Sequence, residues 1–122
     1  MAVASSADEL LSSALAGSGL GELASAFGGP ALQRVRSQAA SLVRRGFRLE
    51  ERSVTRTFVS WDPVVLSVVL QVEAQDRLVT PDAPDPEWSA TVRQVWSRLQ
   101  LVAGGWRVVE TRDLSPDRWQ AA

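Results

Sequence analysis

Between Trp61 and Val79 the chain reads WDPVVLSVVLQVEAQDRLV. Asp62-Pro63 is a turn signal. After it, Val64, Leu66, Val68, Leu70, Val72, Ala74 and Leu78 share one parity, broken by Asp76. Ser67, Gln71, Glu73, Gln75 and Arg77 take the other parity, together with Val65 and Val69. A period of two in β-branched residues predicts a long, half-buried strand, and one this long needs neighbours on both sides.

The period changes upstream. Gly28-Gly29-Pro30 breaks the chain, and Leu32, Val35, Ala39, Leu42 and Val43 then recur at helical spacing. Pro30 suits the first helical position, Arg44 and Arg45 suit the negative end, and Gly46 is a stop signal. A helix over 30–46 is expected, laying Leu32, Val35, Ala39 and Leu42 on the sheet face of Leu66, Val68, Leu70 and Val72. Residues 1–29 read as a flexible or short-helical segment, in which Asp8 would cap a helix carrying Leu10, Leu11, Ala14 and Leu15.

Phe47 to Trp61 reads as a strand whose lost phase near Glu51–Ser53 implies a bulge. Thr80 to Glu87 holds three prolines and reads as a loop. Residues 88–102 fit two patterns. Trp88, Val92, Val95, Trp96 and Leu99 suit a helix, whereas Val95, Leu99 and Leu101 alternate and VAGGWRVVE resembles a hairpin. The strand reading, 89–102 and 105–113 about a Gly104-Gly105 turn, is preferred and sets Trp106 and Val108 in the core. The organisation is thus an α+β domain over 30–115 followed by a tail over 116–122 that Trp119 would pin.

Composition narrows the function. The chain has 122 residues and a net charge of −1, so nothing favours nucleic acid or an anionic membrane as partner. Neither cysteine nor histidine occurs, which removes disulfides, thiolate chemistry and the commonest general base. No cofactor and no metal are expected. Glu73, Asp76 and Glu110 are the acids that could serve a pocket, and Glu73 would ordinarily pair with a cross-strand arginine such as Arg98. The chain lacks Tyr and His to tune such an acid, so a non-enzymatic role is expected. Five tryptophans are many for this length. Trp61 at a turn and Trp96 opposite Leu99 are interface candidates, and Arg93 and Arg98 can each grip a carboxylate in bidentate fashion.

Three stretches carry a family resemblance: L-x-x-V-x-x-x-A-A-x-L-x-x-x-G-F from Leu32 to Phe47, V-E-A-x-x-x-L from Val72 to Leu78, and S-x-L-x-L…G-W-R-V-x-E from Ser97 to Glu110. Together they resemble the intermembrane-space domain of the J-domain-like plastid division proteins of the inner envelope and their cyanobacterial relatives. The resemblance implies a cone-shaped, nuclear-transport-factor-2-like α+β fold with helices on a curved antiparallel sheet of about four strands. It also implies a protein-binding module in the chloroplast envelope intermembrane space, as a fragment of a membrane-anchored protein that does not itself insert. That module would capture the C-terminal peptide of an outer-envelope division protein. The peptide-binding residues expected on this basis are Ser60, Trp61, Glu73, Arg93, Trp96 and Arg98. Two other classes remain open: a small-molecule-binding or enzymatic cone domain of isomerase or cyclase type from a bacterium, soluble or periplasmic, and a dimerisation module that would make the chain a homodimer.

Overall fold

Long strands and short helices decide the architecture. A computed structural model describes residues 2–17 and 20–114; the expected tail with Trp119 lies outside the described residues. Helix α1 (Ala2–Leu15) leads through a 3-10 turn at Leu20–Ser25 to helix α2 (Gly29–Arg45). Four strands follow: β1 (Arg48–Asp62), β2 (Ser67–Val79), β3 (Ser89–Val102) and β4 (Gly105–Asp113). They form one antiparallel sheet in the order β1-β2-β3-β4. The α+β arrangement and the central position of the 67–79 strand are as the patterning predicts, and residues 89–102 are strand.

The helices pack on one face. Val68, Leu70, Val72, Ala74 and Asp76 of β2 are all buried there. Alanine spacing lets α1 approach closely, with Ala4 against Val68 and Leu70, and Ala7, Ala14 and Leu15 in a core shared with Leu99 and Val108. The N-terminal segment is therefore a helix of the main core, and Asp8 lies in its middle instead of capping it. Helix α2 does not take the β2 face expected of it. It contributes Ala31, Val35 and Ala39 to the core and packs over β4 and against α1. The reason is that α1 already occupies the space over β1 and β2.

α2 ends as its sequence dictates. Gly46 adopts φ 71°, and the Gly46 and Phe47 amides donate to Val43 and Leu42, a Schellman closure that a side chain at 46 would strain. Pro81, in the loop after β2, would lie only 3.3 Å from a Cβ at position 46.

A 14-residue helix spans ~21 Å, whereas a 15-residue strand spans ~50 Å. The sheet must therefore run on past its cover. Val64 to Leu66 belong to a turn over 63–66, not to the long strand, so Leu66 is exposed with φ 54°. The Asp62 carboxylate accepts the Val64 amide at 2.9 Å, and Leu66 keeps contact through its carbonyl, which accepts the Leu99 amide at 2.8 Å. Trp106, expected in the core, is instead 42% exposed, and Leu101 opposite it is 62% exposed. They pair with each other in the part of the β3–β4 hairpin that outruns β2, whose last partner in β3 is Arg98.

Candidate protein-docking surface

Three regions carry chemistry: a polar interior beneath α1, the open outer face of the sheet, and the turn end of the sheet.

The interior holds a closed ion network. Asp8 interrupts the apolar stripe Ala4, Ala7, Leu11, Ala14, Leu15 of α1. Its carboxylate accepts from Arg56 Nε at 2.7 Å and from Arg93 Nη1 at 3.1 Å. Arg93 Nη2 also reaches Glu51 at 3.4 Å, and the Ser12 hydroxyl donates to the same glutamate. Burial lowers the Arg93 guanidinium's affinity for its proton, but the charges of Asp8 and Glu51 outweigh this and hold its pKa above the ordinary arginine value. The network ties α1 to β1 and β3. It forms part of the wall of a cavity of about 170 Å³, lined further by Leu15, Val35, Leu70 and Thr111. Asp76 is buried on the same face and accepts from the Thr91 hydroxyl at 3.3 Å.

The outer face carries no helix, and its side chains form rows across the strands. Ser60, Val69, Trp96 and Arg112 make one row, and Ser67, Arg98 and Glu110 the next. Arg98 bonds Glu110 at 3.1 Å, and Arg112 bonds the same carboxylate at 2.8 Å while lying over the Trp96 ring. These two hydrogen bonds hold the Glu110 carboxyl below its usual range. Glu73 therefore does not pair with Arg98. It is exposed between Thr55 and Val92 and accepts from the Gln71 amide at 3.1 Å. Further along, Arg52 and Arg77 each lie 4.3 Å from the Trp88 ring centre, and Arg77 bonds Glu50 and Asp85. The Arg77 hydrogen bond holds the Glu50 carboxyl low.

The turn end is apolar. Phe58, Val59, Trp61, Val64, Val65 and Leu66 from the first hairpin are exposed, as are Leu101, Val102 and Trp106 from the second. Both hairpins turn at this end of the sheet. Trp106 borders a shallow depression with Val3, Ser6, Ser25 and Ala26. Apolar exposure gathered at one end of a small domain makes that end the candidate interaction site.

The structure divides the expected site residues. Ser60, Trp96 and Arg98 stand close together on the outer face near the turn end, whereas Trp61, paired with Val68, lies on the helix face of the adjoining rim. Glu73 lies further along the outer face. Arg93 is on the helix side, held by Asp8 and Glu51, and does not join the rim. The expected acids are likewise apart: Glu73 and Glu110 face outward and Asp76 inward. Sequence reasoning missed the Asp8 network, although a carboxylate set within an apolar helical stripe is a signal for it. The Trp88 clamp had no local signal, because its arginines come from two other strands.

No protein-family model and no curated protein sequence matches the chain. Among solved structures it is similar to the crystal structure of the intermembrane space region of chloroplast protein ARC6. The TM-score is 0.81 over 93% of this chain and 92% of that one, at 15% sequence identity. The likeness establishes the fold, and it is the fold that the motifs between Leu32 and Glu110 resemble.

Proposed function

We propose that this chain is a non-enzymatic protein-binding module of plastid-division type, working in the envelope intermembrane space. There it would capture a short, partly apolar C-terminal peptide of an outer-envelope partner. The observation that carries this reading is the uncovered apolar turn end, where Trp61 and Trp106 stand on the rim of a sheet that outruns its helices. A fold shared with the ARC6 intermembrane space region supports the setting. Among the described residues no helix is long and apolar enough to cross a membrane.

In this reading the aromatic and aliphatic rim supplies the affinity, and arginine supplies the recognition of a terminal carboxylate. Arg98 takes that role because its side chain is 42% exposed and bound to a surface glutamate that a carboxylate can displace; Arg93 is engaged inside. A docked aromatic with one charge contact corresponds to affinity on the order of micromolar.

Calorimetric titration with the C-terminal tails of outer-envelope division proteins, each free and amidated, tests the proposal. Binding is expected for the free tails, weakened by Trp61→Ala at every ionic strength and weakened by amidation most at low salt. Silence at high micromolar concentration would remove the peptide-capture reading, and equal affinity for free and amidated tails would remove the carboxylate contact alone.

A further inference from the structure

The two edges of the sheet are finished differently. On the β4 edge the chain closes itself: the Gly28 amide donates to the Val108 carbonyl at 2.9 Å, the Val108 amide donates to the Ala26 carbonyl at 2.8 Å, and Phe27 bridges Val108 in parallel. On the β1 edge, among the described residues, β2 alone pairs with the main chain of β1. An open edge offers unpaired amides and carbonyls to any extended chain, and proteins guard such edges with charges, bulges and prolines.

The first half of β1 is guarded in this way. Arg48, Glu50, Glu51, Arg52 and Arg56 supply charge, and Ser53 at φ 55° sits in a register break between Arg52 and Thr55. The second half has a register break of its own, between Phe58 and Ser60, but no charge. Within Thr57-Phe58-Val59-Ser60-Trp61, Thr57, Phe58, Val59 and Trp61 are β-prone, and Phe58, Val59 and Trp61 are exposed.

We propose that the Thr57–Trp61 edge of β1 pairs antiparallel with the same edge of a second copy of this chain, joining two four-stranded sheets into one. Charge selects this occupant and this direction. The uncharged stretch is flanked by Arg52 and Arg56 on one side and by Asp62 on the other. Antiparallel self-pairing sets the two uncharged stretches against each other and brings each Asp62 toward the arginine-bearing flank of the other copy. Parallel pairing would set Asp62 against Asp62. A two-fold axis through the joined edge is the simplest closed arrangement and leaves the helices of both copies on one side. It also places two Trp61 rims side by side, so a partner that itself presents two peptides would gain avidity. The inference does not need the peptide reading, because it uses the main chain of the edge and the identity of the second copy.

The chain contains no cysteine, so a single introduced thiol reports on one position. Sedimentation equilibrium of the full chain is expected to show a concentration-dependent dimer. Val59→Lys sets like charges near the axis and is expected to weaken association at least tenfold, with an unchanged circular dichroism spectrum. Under mild oxidation Val59→Cys is expected to form a disulfide-linked dimer, whereas Val102→Cys, exposed at the same end of the sheet, does not. A monomer at millimolar concentration would overturn the proposal. So would a dimer that survives Val59→Lys, or one that cross-links through Val102→Cys and not Val59→Cys. Should Val59→Lys fail to fold, the cysteine pair decides alone.

Discussion

The Arg93 side chain is 12% exposed and bonds two carboxylates, whereas Trp61 is 38% exposed on an uncovered rim. Beneath α1, charge is buried and matched; at the turn end, apolar surface is bare. The two regions share the same strands: Arg56 and Trp61 lie five residues apart in β1, and Arg93 and Leu101 both belong to β3. What separates them is cover. Helices rise less than half as far per residue as strands, so a helix of similar residue count leaves one end of the strand exposed. A charge network is tolerable where partners can be brought to it from three elements, and an apolar surface persists where no element reaches. The first arrangement sets the geometry of the domain, and the second leaves a surface for something else to fill.

The largest expected effect breaks the buried side of this contrast. Arg93→Ala leaves Asp8 and Glu51 buried with one cation fewer and is expected to cost about 3–5 kcal/mol of stability, read from denaturant midpoints. A loss below about 1 kcal/mol would show that water reaches the network. Next, Leu70→Ala, under α1 on the core face, is expected to cost about 2–5 kcal/mol in the same measurement.

Trp61→Ala is the opposite case. Stability is expected to change by about 1 kcal/mol or less, while peptide affinity and rim fluorescence change markedly. A destabilisation like that of Leu70→Ala would move Trp61 from docking surface to core.

The smallest effect concerns the exposed ion pairs. Glu50 and Glu110 are held below the ordinary carboxylate value of 4.5 by hydrogen bonds from Arg77 and from Arg98 with Arg112. A depressed folded-state pKa means stability that is fully present above about pH 4.5 and is lost as pH falls through the lower folded values. Both groups are solvent-facing, so the loss is expected to be slight and reduced by salt. Arg77→Gln should remove the part of the acid slope that belongs to Glu50, as followed by thermal melts between neutral and acid pH. A slope unchanged by this substitution would show that the Arg77 hydrogen bond to Glu50 does not contribute to the acid sensitivity.

Much of the fold was legible because its signals are local. Alternation from Val68 to Ala74 marked the central strand, Pro30 and Gly46 bracketed α2, and Gly104-Gly105 set the hairpin. The bulge near Ser53 appeared as lost phase in the same way. The candidate site was legible only in part. Ser60 and Trp61 stood out by their place beside a turn, and Trp96 with Arg98 by parity, because strand periodicity alone assigns a face.

Which of those faces is covered is a different matter. Val64, Leu66, Leu101 and Trp106 carry the same hydrophobic pattern as Val68 and Leu99, yet the first four are exposed and the last two are buried. Arg93 and Arg98 are the same residue type in the same strand, yet one is locked inside by Asp8 and Glu51 and the other lies at the surface. The sequence by itself determined the first two strands, the second helix, the turns at Gly46 and Gly104-Gly105 and the alternation within the central strand, because these follow from neighbours a few residues apart. Only the tertiary structure decided that α1 lies over β2, that α2 moves aside onto β4, and that Asp8 claims Arg93. Those outcomes depend on how far each helix reaches across the sheet and on groups more than forty residues apart, distances at which no local pattern carries information.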